Sequence, residues 1–210
     1  MKSFKLLSFV LLFTFVFTAC KSNENKPEEK ENSQVATPKN TAPFAVMNAD
    51  HNINFTAYKT TEKIGVGGAF KKVNVLAGGE GNSVKEAINN TQFSIPVSSI
   101  ATQDSSRDYK IKKFFFGVMS ETKLLSGKLM LTDDTTGIAK ITMNGETKDV
   151  PFIYTIKDKV FNMQATIDVN NWNAGKALAS LNKVCEVLHT GADGVSKTWR
   201  EVDLNIISSF

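Results

Sequence analysis

The pattern that most constrains this chain is the repeated alternation of apolar and polar residues between positions 53 and 206. In the first such segment, Ile53, Phe55 and Ala57 are separated by single polar residues. One-sided alternation is typical of strands in an antiparallel sheet that has one face on the core. Where the alternation breaks, at Lys71 and Lys72, we expect a bulge or a bend. The pattern recurs in segments 53–57, 64–75, 93–97, 125–131, 139–143, 150–156, 161–167 and 202–206.

Turn-forming residues separate several of these segments. Asn144 and Gly145 predict a tight hairpin, and turns rich in Gly or Asp occupy residues 78–81 and 133–137. About eight strands joined by hairpins predict an all-β fold, either a sandwich or a barrel.

Two segments depart from the strand pattern and favour helices. Residues 108–116 predict a short helix. In residues 177–188, an apolar stripe predicts a second helix with Gly191 as a C-cap, and the stripe consists of Leu178, Leu181, Cys185 and Leu188. Helices of this length could cover the ends of a barrel. Cys185 itself is expected to be a small buried hydrophobic residue.

The N-terminus has the pattern of a bacterial secretion signal. Lys2 and Lys5 precede an apolar run over residues 6–17, which is the size of a signal peptide and short for a membrane-spanning helix. The segment Phe17-Thr18-Ala19-Cys20 resembles a lipobox, and bulky Phe17 is unsuited to ordinary signal cleavage. We predict that residues 1–19 are removed and that Cys20 is lipidated; the alternative is a plain secreted protein.

Residues 20–42 predict a disordered tether between that lipid and a folded domain at 43–210. From 21 to 42 the only large apolar residue is Val35, which is too little to offset the ordering entropy. We therefore expect a membrane-anchored protein of the cell envelope, on the outer membrane with a periplasmic or surface face. The acidic residues after Cys20 also resemble the surface-export signals of some Bacteroidetes lipoproteins.

Charge and motif content argue against nucleic acid and against catalysis. The chain has 25 basic and 21 acidic residues, a net charge of +4 that falls to +2 once Lys2 and Lys5 are removed, which is too weak for nucleic-acid binding. His51 and His189 have no spacing typical of a metal site or a nucleophile–base pair. The sequence predicts no enzyme, no metal and no cofactor.

A basic cluster beside an aromatic run has two interpretations. Arg107, Lys110, Lys112 and Lys113 precede residues 114–116, which are all Phe. The cluster could hold an anionic headgroup at the mouth of an apolar cavity. It could also be a solvated helix face whose Phe residues fill the core, as charge runs usually are.

Three motifs, in order along the chain, resemble those of the YceI-like family. Residues 66–70 (Val-Gly-Gly-Ala-Phe) resemble its V-x-G-x-F, residues 99–102 with Arg107 and Asp108 resemble its S-I-x-T…R-D, and residues 143–148 resemble its apolar-x-G-x-T-K hairpin. The resemblance implies an eight-stranded antiparallel lipocalin-like barrel that binds a polyisoprenoid or similar lipid. It also implies export and a homodimer.

The resemblance and the strand pattern together suggest a ligand site. Lys110 stands where family members often have His, so the headgroup contact of that residue does not transfer. The alternative is a structural or interaction lipoprotein whose interior is filled, with no cavity of roughly 300 Å³ or more. The candidate ligand-binding residues are Phe55, Phe70, Ser99, Arg107, Asp108, Phe114, Met143 and Phe152.

Overall fold

The computed structural model describes residues 42–210, which belong to a compact unit, Asn40–Phe210. The predicted signal peptide, the lipidation site Cys20 and the tether therefore lie outside the described residues. Every strand, helix and core residue reported below belongs to this unit. No helix in residues 42–210 combines the length and the apolarity needed to span a bilayer.

The described chain is built mainly of strands. Ten of them form one sheet that curls into a half-barrel, and the other two pair separately. The strands are β1 (Phe44–Ala45), β2 (Asp50–Lys59), β3 (Ile64–Phe70), β4 (Asn74–Ala77), β5 (Glu80–Gly81), β6 (Gln92–Pro96), β7 (Ile100–Ala101), β8 (Leu124–Leu131), β9 (Thr136–Met143), β10 (Glu146–Lys157), β11 (Val160–Asp168) and β12 (Thr198–Ser209).

The large sheet has the order β4-β6-β8-β9-β10-β11-β12-β2-β3-β7, with antiparallel neighbours throughout. Eight of its strands have five or more residues and correspond to the predicted set, while β4 and β7 are short edge strands. The lipocalin-like antiparallel fold is thus confirmed. The predicted hairpin at Asn144 and Gly145 is also present: both residues have positive φ, and Met143 pairs with Glu146.

Strand β3 is joined to the edge strand β7 by only a few backbone contacts. Strand β7 pairs with β3 only through Ala69↔Ala101 and Phe70↔Ile100. The Lys71 amide N–H adds one hydrogen bond of 3.0 Å to the Ser99 carbonyl. Beyond Phe70 the chain leaves β3 and enters β4 at Asn74, so the broken alternation at Lys71 and Lys72 marks a corner between two strands.

Four short α-helices accompany the sheet: α1 (Val84–Ile88), α2 (Ser105–Lys110), α3 (Gly175–Val184) and α4 (Glu186–His189). Asp104 caps α2 by accepting a hydrogen bond of 3.0 Å from the Arg107 amide. After α2 the chain continues as a π-helical turn, Ile111–Phe115, and a 3₁₀ turn, Phe116–Val118. The helix predicted over 108–116 exists, but it begins at Ser105 and changes its hydrogen-bonding pattern at Ile111.

The helix predicted over 177–188 is interrupted, and part of that prediction was wrong. Cys185 (φ −111°, ψ 10°) separates α3 from α4. The break turns α4 away from the stripe, so Leu188 is exposed while Leu178 and Leu181 pack on the core. Thr190 ends α4 in an extended conformation, so Gly191 is not its C-cap. Cys185 is buried and unpaired, as predicted.

Candidate functional site

The inner face of the half-barrel encloses a cavity of about 240 Å³. Its wall is apolar, with a few polar side chains near its ends, among them His51 and Thr198. Strand residues supply the sides, and the segments that cover one end supply Ile111, Leu178 and Leu181. The sheet thus leaves an oily interior space that its own side chains do not fill.

Three of the predicted residues, Phe55, Phe70 and Met143, line this cavity. The Phe55 and Phe70 rings are tilted to one another with their centroids 5.7 Å apart. Gly68 pairs with Phe55 across the β2–β3 ladder, and a Cβ atom at Gly68 would overlap the Phe55 ring. The glycine is therefore needed where the ring crosses the strand.

Two predicted residues lie elsewhere. Phe152 is buried on the inner face but packs over Gly137 and beside Tyr154, outside the cavity lining. Phe114 is half-buried, with its ring 6.3 Å from Tyr109 and with the Lys113 ammonium 5.3 Å from its centroid. It faces the helix surface and does not line the cavity.

The aromatic residues that do line this part of the cavity are Phe115 and Phe116, which were not among the predicted site residues. Both are buried, with ring centroids 5.0 Å apart, and Phe116 lies 6.4 Å from Phe70. The π-helical turn places consecutive Phe residues against the interior. Of the three Phe residues, Phe115 and Phe116 thus face the interior, while Phe114 remains at the helix surface beside Lys113.

The remaining predicted residues, Ser99, Arg107 and Asp108, form a hydrogen-bonded corner outside the cavity lining. Asp108 accepts bonds from the Thr102 amide (2.8 Å) and hydroxyl (2.6 Å). Arg107 donates to the Thr102 carbonyl over 3.4 Å, and Ser99 donates to the Pro96 carbonyl over 2.7 Å. The bonds of Arg107 and Asp108 to Thr102 fix α2 against the β7 segment, whereas the Ser99 bond stays within the turn before β7.

The two histidines have structural hydrogen bonds. His51 bonds the Val46 carbonyl through Nε2 and the Ser208 hydroxyl through Nδ1, both over 2.8 Å. Because a carbonyl only accepts, the His51 Nε2 carries the proton. His189 Nδ1 lies 2.6 Å from the Thr198 hydroxyl.

The surroundings of His189 disfavour its charged form. Burial lowers the pKa of the His189 imidazole, and the nearby cations of Lys59, Lys110 and Arg107 lower it further. In residues 42–210, no group of three or more His, Cys, Asp or Glu side chains is arranged to hold a metal ion.

A curled antiparallel sheet around an apolar cavity defines a lipocalin-like β protein. The family model of the YceI-like domain matches residues 44–207, and the chain belongs to this family. A comparison with proteins of curated function gave no match.

Two solved structures have the same fold. One is a polyisoprenoid binding domain from Saccharophagus degradans implicated in plant cell wall breakdown: TM-score 0.54 and 11% identity, covering 80% of this chain and 98% of that one. The other is BcnA from Burkholderia cenocepacia: TM-score 0.51 and 17% identity, covering 77% of this chain and 98% of that one.

Proposed function

We propose that this protein binds an elongated apolar molecule, a polyisoprenoid or a similar lipid, inside its half-barrel. The observation that carries the proposal is the cavity, whose wall is built of side chains such as Phe55, Phe70 and Met143. An apolar wall favours hydrocarbon over water, because each CH₂ that leaves water contributes about 0.8 kcal/mol. The polyisoprenoid-binding domain of similar fold supports the same class of ligand. The proposed role is binding, without catalysis.

The volume of the cavity limits which ligands fit without a movement of side chains. Its volume of about 240 Å³ lies below the roughly 300 Å³ at the lower end of ligand pockets. A short apolar segment fits directly. A longer chain requires side chains at the covered end, such as Phe115 and Phe116, to move aside.

The ligand is tested by native mass spectrometry of residues 40–210 purified under mild conditions, followed by titration with prenyl lipids. We expect either a co-purified lipid or saturable binding. Ala139→Phe places a ring in the cavity, whose wall includes Ala139, and is expected to abolish binding. Gln164→Phe puts the same ring on an exposed position of β11 and serves as the matched control.

Two results would contradict the proposal that the cavity binds a lipid. Circular dichroism checks that both variants remain folded. A spectrum without lipid, together with no prenyl-lipid binding by the wild type, contradicts the proposal. Binding that survives Ala139→Phe in a folded protein places the ligand outside the cavity and contradicts it too.

The same proposal includes attachment to the cell envelope through lipid on Cys20, on the outer membrane with a periplasmic or surface face. Its support is the lipobox-like segment ending at Cys20. Two or more acyl chains anchor a protein stably, whereas one binds only marginally. Metabolic labelling with a fatty acid should mark the wild type and not Cys20→Ser. Labelling of intact cells with an impermeant reagent then distinguishes a surface face from a periplasmic one.

A second candidate is an anchored scaffold whose interior binds nothing, and the modest cavity volume favours it. It predicts a lipid-free mass spectrum and an envelope protein recovered by crosslinking in cells. Family resemblance also suggests a homodimer, for which sedimentation velocity over a range of concentrations is the direct measurement.

A further inference from the structure

A helical segment between β7 and β8, here called the covering segment (residues 105–118), closes the cavity at its covered end. It consists of α2, the π-helical turn Ile111–Phe115 and the 3₁₀ turn Phe116–Val118. Three of its side chains, Ile111, Phe115 and Phe116, line the cavity. The covering segment therefore forms part of the cavity wall, and the two Phe rings are its largest contributions.

The π-helical turn brings two consecutive rings to the interior. The Phe116 amide donates to the carbonyls of both Ile111 and Lys112, and the bond to Ile111 spans five residues. Successive residues of an α-helix point about 100° apart, so only one of two neighbours lies directly below a residue of the preceding turn. A turn closed by a bond from i to i+5 is wider, so residues i+4 and i+5 both lie below residue i. Phe115 and Phe116 stand in these positions relative to Ile111, and such turns occur frequently at functional sites.

The two rings lie directly beneath the protein surface. Phe115 and Phe116 are buried, whereas the next residues, Gly117 and Val118, are exposed. The two ring centroids are 5.0 Å apart, and the Phe116 ring lies 6.4 Å from that of Phe70 on β3. Removal of one ring should therefore extend the cavity toward the surface.

Both ends of the covering segment are held by hydrogen bonds. Near its start, Asp108 accepts bonds from the Thr102 amide and hydroxyl, over 2.8 and 2.6 Å. Just beyond its end, the Ser120 amide donates to the Asn144 side chain over 2.8 Å. Since the segment is fixed on both sides, displacement of its rings by a ligand costs binding free energy.

The volume of the cavity indicates how much of an apolar chain fits in front of these rings. A protein cavity of about 150 Å³ holds a six-carbon ring. At the same volume per carbon, the cavity of about 240 Å³ holds roughly ten carbons, which is two isoprene units. A longer chain offers more apolar groups, but the resting interior has no room for them.

We propose that Phe115 and Phe116 determine how much of an apolar chain the half-barrel binds. The end of the chain lies against the two rings, with roughly two isoprene units buried. Further units gain no burial, so affinity stops rising with chain length. This length limit rests on the proposed function, because it concerns the ligand of the same cavity.

The test compares prenyl alcohols that lengthen by one isoprene unit at a time: geraniol, which has two units, then farnesol and geranylgeraniol. Native mass spectrometry measures their affinities for the purified protein. We expect the three alcohols to bind the wild type within about three-fold of one another, because each buries about the same length of chain.

Phe116→Ala removes a ring from the end of the cavity and leaves room for about one more isoprene unit. Each additional CH₂ group that is buried raises affinity about four-fold. Farnesol should therefore bind this variant at least about ten-fold more tightly than geraniol does. Phe115→Ala should act in the same direction. Phe116→Leu removes less volume and should give a smaller shift of the same sign, so the test remains decisive if loss of a whole ring prevents folding.

Phe114→Ala is the matched control, because Phe114 belongs to the same turn but lies outside the cavity lining. The variant removes an identical ring, which lies beside the Lys113 ammonium. It should leave the relative affinities of the three alcohols as they are in the wild type. Circular dichroism checks that each variant is folded.

Three results would overturn the length limit. The first is a wild type whose affinity keeps rising from geraniol to geranylgeraniol. The second is a set of folded Phe115 and Phe116 variants with the relative affinities of the wild type, and the third is an equal shift in Phe114→Ala. A wild type that binds none of the alcohols contradicts the proposed function itself, whereas unchanged relative affinities in a protein that binds them contradict the length limit alone.

Discussion

The interior of the half-barrel has two sides that differ in how completely they are filled. On one side, here called the filled side, Phe152, Tyr154 and Trp172 are buried and none of them lines the cavity. On the other, the open side, Phe55 and Phe70 are half-buried and line the cavity, together with Ala139 of β9. Both sides are built from strands with the same alternation. Alternation therefore determines which side chains face inward, but not whether they fill the space they face.

One buried side chain of the filled side, here called the plug, comes from outside the sheet. The 3₁₀ turn Val169–Trp172 inserts the Trp172 indole, which donates to the Ile141 carbonyl over 2.9 Å. Asn144 in the β9–β10 hairpin donates in turn to the Trp172 carbonyl over 2.7 Å. The open side is covered instead by Phe115 and Phe116, which close the space at one end without occupying it.

We expect the largest effect on stability from removing the Trp172 side chain, the plug of the filled side. Trp172→Ala should lower the free energy of unfolding by about 3–5 kcal/mol, because it empties a fully buried site and removes a hydrogen bond. Phe70→Ala should cost distinctly less, since Phe70 already borders empty space. Equilibrium urea denaturation measures both, and equal losses would show that the two sides are packed alike.

A smaller effect, of opposite sign at a position that lines the cavity and at one that does not, comes from added side-chain volume. Ala139 and Ala177 are both buried, but only Ala139 lines the cavity. Ala139→Leu should stabilise the protein by about 0.5–2 kcal/mol through filling the cavity. Ala177→Leu should destabilise it by about 1–3 kcal/mol through overpacking. The same urea titration reports the sign, and a loss of stability in both variants would contradict an open side.

The smallest expected effect concerns the turn that holds the filled side in place. Asp133 accepts hydrogen bonds of 2.7 Å from the Thr135 and Thr136 amides, and its own carbonyl accepts one of 2.6 Å from the Tyr154 hydroxyl. The bonds to its carboxylate, first of all that from the Thr136 hydroxyl, lower the pKa of Asp133 from 3.8 to about 2.

Because the pKa of Asp133 is lower in the folded protein, its carboxylate stabilises the fold above pH 3.8, the unfolded pKa. This stabilisation is lost as the pH falls through about 2. Asp133→Asn should therefore lower Tm at neutral pH and converge with the wild type near pH 2. Calorimetry of both proteins across that range is the measurement. A Tm difference that stays constant with pH would show that the carboxylate charge is not involved.

The strands were the most predictable part of the fold, because burial of one face imposes a period of two on the sequence. The hairpin at Asn144 and Gly145 was equally clear, since both positions require positive φ. The interruption at Cys185 was not, because residues 177–188 form an apolar stripe that suits one continuous helix. The exposure of Leu188 follows from tertiary structure that the local pattern does not contain.

The candidate site was predicted in part, for a related reason. Phe55, Phe70 and Met143 were found because they lie on inward positions of strands next to the space. Phe152 has the same pattern, but its surroundings are filled. Phe115 and Phe116 were missed as lining residues because a π-helical turn changes which positions face inward, although the run of three Phe residues was a visible signal.

Strands β3 and β7 are paired at only two positions, so this part of the wall around the interior separates more easily than the rest. Separating Ala69 and Phe70 from Ala101 and Ile100 breaks a short ladder, whereas opening β11 from β12 breaks nine register pairs. Expansion of the protein should therefore begin along this seam, and a guest bulkier than the resting interior could enter sideways there while the long strands stay joined.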